Sequence, residues 1–246
     1  MSGTPVGGVH MPGGVLSTDY GPAMASRHPT GRRTRPPVPG IRSEQPYWDT
    51  GAVVAGIDEV GRGAWAGPLT LAAVVLPTDR RIYKLRDSKV LSPEVREHLS
   101  GRLHGFATGV GIGHASNAEV DRHGLSEATR RAARRAVEAL PVEPDVMLID
   151  GTWDFLADLG THNETIPQGD GRSASIAAAS IVAKVARDRI MVDVADQHAP
   201  YVFASNKGYP SPDHVAALER HGPCALHRRS WAPIAALDHP RLFETT

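Results

Sequence analysis

Cysteine, aromatic residues and net charge are all scarce in this sequence. The 246 residues include a single cysteine, Cys224, which excludes an internal disulfide and a zinc site built on several thiolates. The 27 basic and 27 acidic residues cancel, so any contact with nucleic acid must come from a local patch and not from net charge. Neither an apolar run of about eighteen residues nor the basic-then-apolar order of a secretory signal is present. These absences predict a cytoplasmic protein that does not enter a membrane.

The N-terminal segment differs in composition from the rest of the chain. Glycine and proline recur through its first fifty residues, and the few apolar residues follow no period. Such a segment buries too little apolar surface to offset the entropy that is lost on ordering. We therefore predict a disordered tail over residues 1–50, a folded domain over residues 51–238 and a second short tail over residues 239–246.

The folded part alternates short apolar runs with helical segments. Apolar runs bounded by turn residues predict five strands, near residues 53–57, 69–76, 108–116, 146–149 and 164–167. Helices are predicted near residues 92–103, 118–123, 126–140, 173–197 and 212–221. Three early strands followed by helix–strand alternation predict a mixed α/β sheet that is covered on both faces.

Acidic residues stand where an α/β sheet commonly forms its site. Asp58 and Asp150 end the first and fourth predicted strands, and sites in open α/β sheets lie beyond strand ends. Asp188 lies on the long helix, on the face that also carries Lys184, because residues four apart share a helix face. Together with Glu59 these acids would repel one another unless hard cations neutralise them, and oxygen ligands suit Mg²⁺ or Mn²⁺. Two such ions ~3.5–4 Å apart are the usual device for phosphodiester cleavage.

The stretch GIDEVGRG, residues 56–63, places a loop with few side chains directly after the acid pair. Strict pleating puts Asp58 and Glu59 on opposite faces of a strand, so both reach one site only if the strand stops or bulges there. Gly61 and Gly63 supply that freedom and expose backbone N–H groups to a ligand. Arg62 between them is suited to pairing with a phosphate. The stretch therefore predicts a nucleic-acid hydrolase site.

Simpler interpretations of the same residues stay open on spacing alone. An Asp-Glu pair before glycines is also typical of a solvated turn, and Asp150-Gly151 is a common strand-to-turn signal. Lys184 and Asp188 are also the spacing of an ordinary ion pair on a helix, worth ~0.3–0.5 kcal/mol. On these grounds a metal-dependent phosphodiesterase is one candidate among several.

A set of short motifs recurs in order along the folded part. The chain carries GIDEVGRG with AGP close behind, LRDSKVLS at residues 85–92, LIDG at residues 148–151, SIAAASIVAKVARD at residues 175–188 and NKGYPSPDH at residues 206–214, followed by HRRSWAP. In this order the blocks resemble the motif set of type 2 ribonuclease H, the bacterial ribonuclease HII family. The similarity covers residues 53–233, so it spans essentially the whole predicted domain.

The resemblance implies both a fold and an activity. The fold would be a ribonuclease H-like, five-stranded mixed sheet flanked by helices, with a C-terminal helical segment. The activity would be that of an endoribonuclease that hydrolyses the RNA strand of RNA–DNA hybrids and cuts 5′ of ribonucleotides embedded in duplex DNA, leaving 5′-phosphate and 3′-hydroxyl ends. The expected cofactors are two Mg²⁺ or Mn²⁺ ions, and the expected state is a monomer. The C-terminal DHPRLFETT offers one Leu-Phe pair for docking on the sliding clamp, a partner of many bacterial members.

The resemblance also implies roles for individual residues. The metal-binding and catalytic carboxylates would be Asp58, Glu59, Asp150 and Asp188. The ribose 2′-hydroxyl would be read through the backbone of Gly61, Arg62 and Gly63. Tyr209 would stack on the deoxyribose beyond the RNA–DNA junction, since a ring laid on a sugar excludes an added hydroxyl, which is the handle that separates RNA from DNA. Lys89 and Lys184 would lie near the backbone phosphates.

Three positions depart from the family pattern, and other classes of protein stay possible. Ala64-Trp65 replaces Pro-Leu, Val90 replaces the second lysine of DSKKL, and Pro210-Ser211 replaces the Gly-Thr that usually follows NKGY. Because proline fixes φ and lacks an N–H, the last change bears on junction recognition more than on hydrolysis. The alternatives are another nuclease of the ribonuclease H fold and a hybrid-binding protein that has lost catalysis.

Overall fold

The computed structural model describes residues 38–82, 85 and 88–238. Most of the predicted N-terminal tail, residues 1–37, lies outside the described residues. The same is true of the predicted C-terminal tail over residues 239–246 with its Leu-Phe pair, and of four residues around the LRDSK block, at positions 83, 84, 86 and 87.

A five-stranded mixed sheet forms the centre of the domain, as predicted. The strands are β1 (Val54–Val60), β2 (Leu69–Val75), β3 (Gly109–Ala115), β4 (Val146–Asp150) and β5 (His162–Ile166). Their order across the sheet is β3-β2-β1-β4-β5. β2 pairs antiparallel with both β1 and β3, while β1–β4 and β4–β5 are parallel. The two parallel pairs place the C-terminal ends of β1 and β4 side by side at one edge of the sheet.

Helices cover both faces of this sheet and form a C-terminal segment. The α-helices are α1 (Gln45–Trp48), α2 (Pro93–Phe106), α3 (Asn117–Glu138), α4 (Ala174–Asp193), α5 (Phe203–Asn206), α6 (Pro212–His221) and α7 (Ala232–Asp238). Short 3₁₀ turns cover Ser88–Val90, Ala157–Leu159, Gly169–Gly171 and Asp196–Tyr201. α3 includes both helices predicted around residue 124, and Gly124, with a φ of 77°, breaks it between them. No helix within the described ranges is both long and apolar enough to cross a membrane.

Two apolar layers hold the sheet between α3 and α4. Successive residues of a strand face opposite sides, so Met147 and Ile149 of β4 pack with alanines of α3, whereas Val146 and Leu148 pack with α4. α4 lies very close to β1, because a Cβ added to Gly56 would lie 2.1 Å from the backbone carbon of Ser175. This close packing fixes α4, and every side chain that α4 carries, against the strand that bears Asp58.

The segment just before the sheet is part of the folded domain. The predicted tail extended to residue 50, but α1 lies within it and Trp48 is buried in the core. Glu44 is fully buried and accepts hydrogen bonds at Oε1 from the hydroxyl groups of Ser173 and Ser175 and from the Ser175 N–H, at 2.6–2.8 Å. A carboxylate at the N-terminus of α4 is stabilised by the helix dipole. Composition missed this contact because it depends on one buried acid and one tryptophan.

Candidate active site

Asp58 and Glu59 lie within β1, which runs on past both of them. Their register with β2 is one to one as far as Val60, so the strand neither stops nor bulges at the acids, contrary to the expectation from pleating. The parallel pairing with β4 ends earlier, at Ile57. Beyond that point the sheet edge is open, and Asp58 and Glu59 line the same cavity of about 320 Å³. The two acids thus reach one site because the pairing of β1 with β4 ends at Ile57, and not because β1 bulges.

Asp150 ends β4 beside this open edge. Its Oδ1 accepts a hydrogen bond from the N–H of Gly169 at 2.6 Å. Asp150 lines a second cavity, of about 190 Å³, together with Glu59 and Arg62. Glu59 is common to the two cavities, so Asp58, Glu59 and Asp150 line adjoining cavities at the ends of β1 and β4, which we call together the acidic groove.

Burial and neighbouring negative charge raise the pKa of Asp58 and of Glu59. Burial raises the pKa of Asp58 most, well above its usual value, and the charges of Asp150 and Glu59 raise it further. The pKa of Glu59 is also raised, by burial and by Asp150, although Arg62 and Lys89 oppose the shift. Since burial and like charges both disfavour the ionised form, the groove is a region where a cation would be strongly stabilised.

Asp170 is a fourth acid in this region that the sequence analysis did not identify. It is 6% exposed and lies in the 3₁₀ turn before α4. Burial and then the charge of Asp170 raise the pKa of Asp150, and the N–H of Asp170 bonds to the Asp150 carboxylate. Lys89 donates to Asp170 Oδ2 at 3.2 Å. The available signal was the acid between two glycines in Gly169–Gly171, directly before the helix that Ser173 caps.

Asp188, the predicted fourth carboxylate, lies in a different place from the other three. It accepts a hydrogen bond from Lys184 at 2.7 Å and lines a separate cavity of about 370 Å³. The Ser180 hydroxyl bonds to Asp58, and Asp188 follows Ser180 by eight residues in α4, which is about 12 Å along the helix axis. Lys184 stands between them and lines both cavities. The structure thus brings Asp58, Glu59 and Asp150 together and leaves Asp188 one cavity away.

The donor set of the groove fits a hard divalent cation. All of its charged acceptors are carboxylate oxygens, which Mg²⁺ and Mn²⁺ prefer. Within the described ranges, no three His, Cys, Asp or Glu side chains already converge closely enough to hold a metal ion. The chemistry of the residues therefore fits the predicted cofactor.

The glycine-rich loop and Tyr209 meet on one side of the groove. Gly61, with a φ of 92°, donates its N–H to the Tyr209 hydroxyl at 3.1 Å. Arg62 lies 3.8 Å from the Glu59 carboxylate, and its guanidinium lies 5.7 Å from the centre of the Trp153 ring. A Cβ added to Gly63 would meet nothing within 4 Å, so its backbone faces open space. The loop Gly61–Gly63, which we call the reading loop, is therefore exposed at Gly63 and bonded through Gly61 to Tyr209.

Two buried arginines, which the sequence analysis did not identify, hold these loops from behind. Arg187 donates to the backbone oxygens of Pro68, Lys207 and Ala66 at 2.8–3.0 Å, and its guanidinium lies 5.1 Å from the centre of the Tyr209 ring. Arg228 donates to the Arg62 oxygen at 3.0 Å and twice to the Gly67 oxygen. Both arginines are fully buried. They stabilise the backbone of the reading loop and of the Tyr209 loop without facing the groove.

A mixed sheet with acids at the open ends of β1 and β4, beside a glycine loop, defines a nuclease of the ribonuclease H-like fold. The family model "Ribonuclease HII" matches residues 55–234, and the chain belongs to the ribonuclease HII family. Membership makes it a ribonuclease H, a hydrolase of the nuclease class.

Relatives from distant bacteria and a solved archaeal structure agree with this assignment. The ribonuclease HII of Streptomyces avermitilis is 47% identical over 193 residues, which are 78% of this chain and 82% of that protein. The enzyme of Thermus thermophilus is 44% identical over 194 residues, or 78% and 92% of the two chains. The crystal structure of ribonuclease H2 from Pyrococcus horikoshii superposes with a TM-score of 0.65 at 26% identity, covering 75% of this chain and 96% of that one. These matches confirm the predicted family and fold class.

Proposed function

We propose that this chain is an endoribonuclease that hydrolyses the RNA strand of RNA–DNA hybrids and cuts 5′ of single ribonucleotides embedded in duplex DNA, leaving 5′-phosphate ends. One observation carries the proposal: Tyr209 lines the same cavity as Asp58 and Glu59, and its hydroxyl accepts a hydrogen bond from the Gly61 N–H. The groups proposed to hydrolyse the phosphodiester and those proposed to recognise the sugar would therefore contact neighbouring nucleotides of one substrate strand.

The carboxylates that support metal binding best are Asp58, Glu59, Asp150 and Asp170. Asp170 enters this set because it is buried against Asp150, and Asp188 remains the alternative fourth ligand that the motif pattern predicts. A pair of divalent ions held there would supply an activated water and stabilise the leaving 3′-oxygen. Lys89, bonded to Asp170 at the mouth of the groove, holds that acid in place and adds positive charge where a phosphate would enter.

Recognition of the sugar would fall to the Gly61–Gly63 backbone and to Tyr209. The backbone of this loop is accessible at Gly63, so its peptide groups can approach a 2′-hydroxyl closely. The Tyr209 ring would lie on the next deoxyribose, where an added hydroxyl would clash. Lys184 lines the same cavity as Tyr209, with its ammonium group 5.8 Å from the ring centre, and is suited to a backbone phosphate.

Pro210 is compatible with this role for Tyr209. The missing N–H of proline costs the loop little, because Tyr209 is held by its own N–H to Asn206 at 3.0 Å and by its carbonyl to His214 at 2.9 Å. Ser211 then caps α6 by accepting from the His214 N–H. The replacement of Gly-Thr by Pro-Ser thus leads directly into a capped helix.

A single assay separates the proposed function from its alternatives. The full chain is incubated with a DNA duplex that contains one ribonucleotide, with Mg²⁺, with Mn²⁺ or with EDTA, and the cut is mapped at nucleotide resolution. Metal-dependent cleavage 5′ of the ribonucleotide supports the proposal. Binding without cleavage would indicate a catalytically silent hybrid-binding protein, and cleavage of all-DNA junctions would indicate another nuclease of the same fold.

Two variants test the roles within this assay. Asp58→Asn should abolish cleavage while the protein stays folded, so a near-normal rate would remove Asp58 from the ligand set. Tyr209→Ala should lower the preference for a single embedded ribonucleotide more than the rate on a continuous hybrid. An unchanged preference would refute the role of the ring.

The expected partners beyond nucleic acid are also proposals. A structural neighbour from Archaeoglobus fulgidus, at 24% identity and a TM-score of 0.63, is described as a PCNA:RNase HII complex. By analogy we propose that a sliding clamp binds this chain and that it acts as a monomer. Sedimentation of the full chain alone and with its own clamp measures both.

A further inference from the structure

Two histidines form a buried hydrogen-bonded chain that ends at Tyr209. His214 and His227 are 0% and 1% exposed, and their Nε2 atoms lie 2.9 Å apart. His227 Nδ1 lies 2.9 Å from the N–H of Cys224, and His214 Nδ1 lies 2.9 Å from the carbonyl oxygen of Tyr209. Each of the four ring nitrogens therefore has one partner.

The two ends of this chain determine where its protons lie. The Cys224 N–H can only donate, so His227 Nδ1 accepts and the proton of that neutral ring is on Nε2. His227 Nε2 then donates to His214 Nε2, which leaves the His214 proton on Nδ1. A carbonyl oxygen can only accept, and His214 Nδ1 donates to Tyr209 as this order requires. One arrangement of protons satisfies every contact.

The surroundings keep both rings neutral. Tyr201 and Phe203 pack against the pair, and Trp65 lies 6.1 Å from His214. Burial lowers the pKa of His227 most, and a positive charge on His214, Arg229 or His198 would lower it further. A second proton on His214 would lie on Nε2, against the His227 Nε2–H, and a second proton on His227 would lie on Nδ1, against the Cys224 N–H.

We propose that His214 and His227 are positioning residues that set the direction of Tyr209 through this ordered chain of hydrogen bonds. The peptide groups on both sides of the Tyr209 Cα are then held, one by Asn206 and the other by His214. The ring of Tyr209 is held at its hydroxyl by Gly61. The role rests on the proposed function, because it is the reading of the sugar that needs Tyr209 in one orientation.

A crossed pair of substitutions tests the proposal. An asparagine amide can replace His Nδ1 and a glutamine amide can replace His Nε2, so His214→Asn keeps the donor to Tyr209, and His227→Gln keeps the donor to His214. We expect kcat/KM on the single-ribonucleotide duplex to stay within about threefold of the wild type for these two variants. For the exchanged variants His214→Gln and His227→Asn we expect a loss of about tenfold, mainly in KM, which is roughly one hydrogen bond.

The crossed pattern distinguishes positioning from packing. If the histidines only pack, kcat/KM at each position should follow the melting temperatures of the variants. The proposal is therefore overturned if Asn and Gln give equal kcat/KM at each position, or if kcat/KM follows the melting temperature. A second measurement needs no variant: long-range ¹H–¹⁵N spectra of the wild type should show the Nδ1–H tautomer for His214 and the Nε2–H tautomer for His227. The opposite tautomers, or a charged ring at neutral pH, would also overturn it. Failure of the wild type to cut would refute the proposed function and leave this spectroscopic test intact.

Discussion

Replacing Asp170 and Asp188 separately by asparagine decides which acid completes the proposed metal site. Asp170 is buried against Asp150, whereas Asp188 pairs with Lys184 one cavity away. Both substitutions keep the size of the side chain and remove one negative charge, so each is the matched control of the other. We expect Asp170→Asn to lose metal-dependent cleavage and Asp188→Asn to retain it.

The structure gives the size of each effect. Groups that only support a metal ligand cost about 10–100-fold when they are removed, so a direct ligand should cost at least about 100-fold, or about 2.7 kcal/mol in the barrier. The Lys184–Asp188 pair has side chains 20% and 17% exposed, and an i,i+4 pair contributes roughly 0.5 kcal/mol. Cleavage by Asp188→Asn should therefore stay within about threefold of the wild type.

Stability without metal gives an independent readout. In EDTA, Asp170→Asn removes a charge that acts on Asp150 and loses only a pair with Lys89, whose side chain is 76% exposed. Its melting temperature in EDTA should equal or exceed that of the wild type, and added Mn²⁺ should raise it less. If Asp188→Asn loses cleavage and Mn²⁺ stabilisation while Asp170→Asn keeps both, the proposed ligand set is wrong and the motif-based one stands.

Three further predictions concern residues around the site. Glu44→Ala should cost about 2–4 kcal/mol, because three donors lose their acceptor, and Glu44→Gln should cost less; a change below about 0.5 kcal/mol in urea unfolding would contradict the contact. The pKa of His227 is lowered from 6.5 to about 4 by burial and by neighbouring positive charge, so its stabilising effect is complete above about pH 6.5 and is lost as the pH falls toward 4. The wild type should lose about 2–3 kcal/mol more than His227→Gln between pH 7.5 and pH 4, and equal losses would contradict the shift. Trp153→Leu should lower kcat/KM about two- to fivefold through loss of the contact with Arg62, with Trp153→Phe closer to the wild type; equal values for both variants would assign the ring to packing.

The fold was predictable because its signals are local. Apolar runs with turn residues at both ends identified all five strands, and each long helix has a Ser cap or a proline at its start. Asp58 and Glu59 were expected to reach one site through a break or bulge in β1, and this reason was wrong. β1 does not bulge, and its pairing with β4 ends at Ile57. That end depends on β4, so the residues around Asp58 do not reveal it.

The parts of the site that were missed depend on contacts between distant segments. Asp170 reaches Asp150 only because the turn before α4 folds back on the end of β4, and one acid between two glycines does not reveal that. Glu44 lies 131 residues from Ser175 in the chain, within a stretch whose composition predicts disorder. Such contacts become visible only when the tertiary structure is known.

The buried arginines show how the reading loop and Tyr209 are held as a single unit. Arg228 donates to the backbone oxygen of Arg62 in the Gly61–Gly63 loop, and Arg187 donates to the backbone oxygen of Lys207 in the Tyr209 loop. Each guanidinium thus holds the backbone of one loop. Both also bond to the segment between residues 66 and 68, which therefore connects the two elements. Because a buried cation that loses its acceptors is costly, a shift of either loop would leave a guanidinium unsatisfied. Tyr209 and the reading loop are thus coupled by the buried arginines on one side and by the Gly61 bond on the other, which is the rigidity that the proposed discrimination between neighbouring sugars would require.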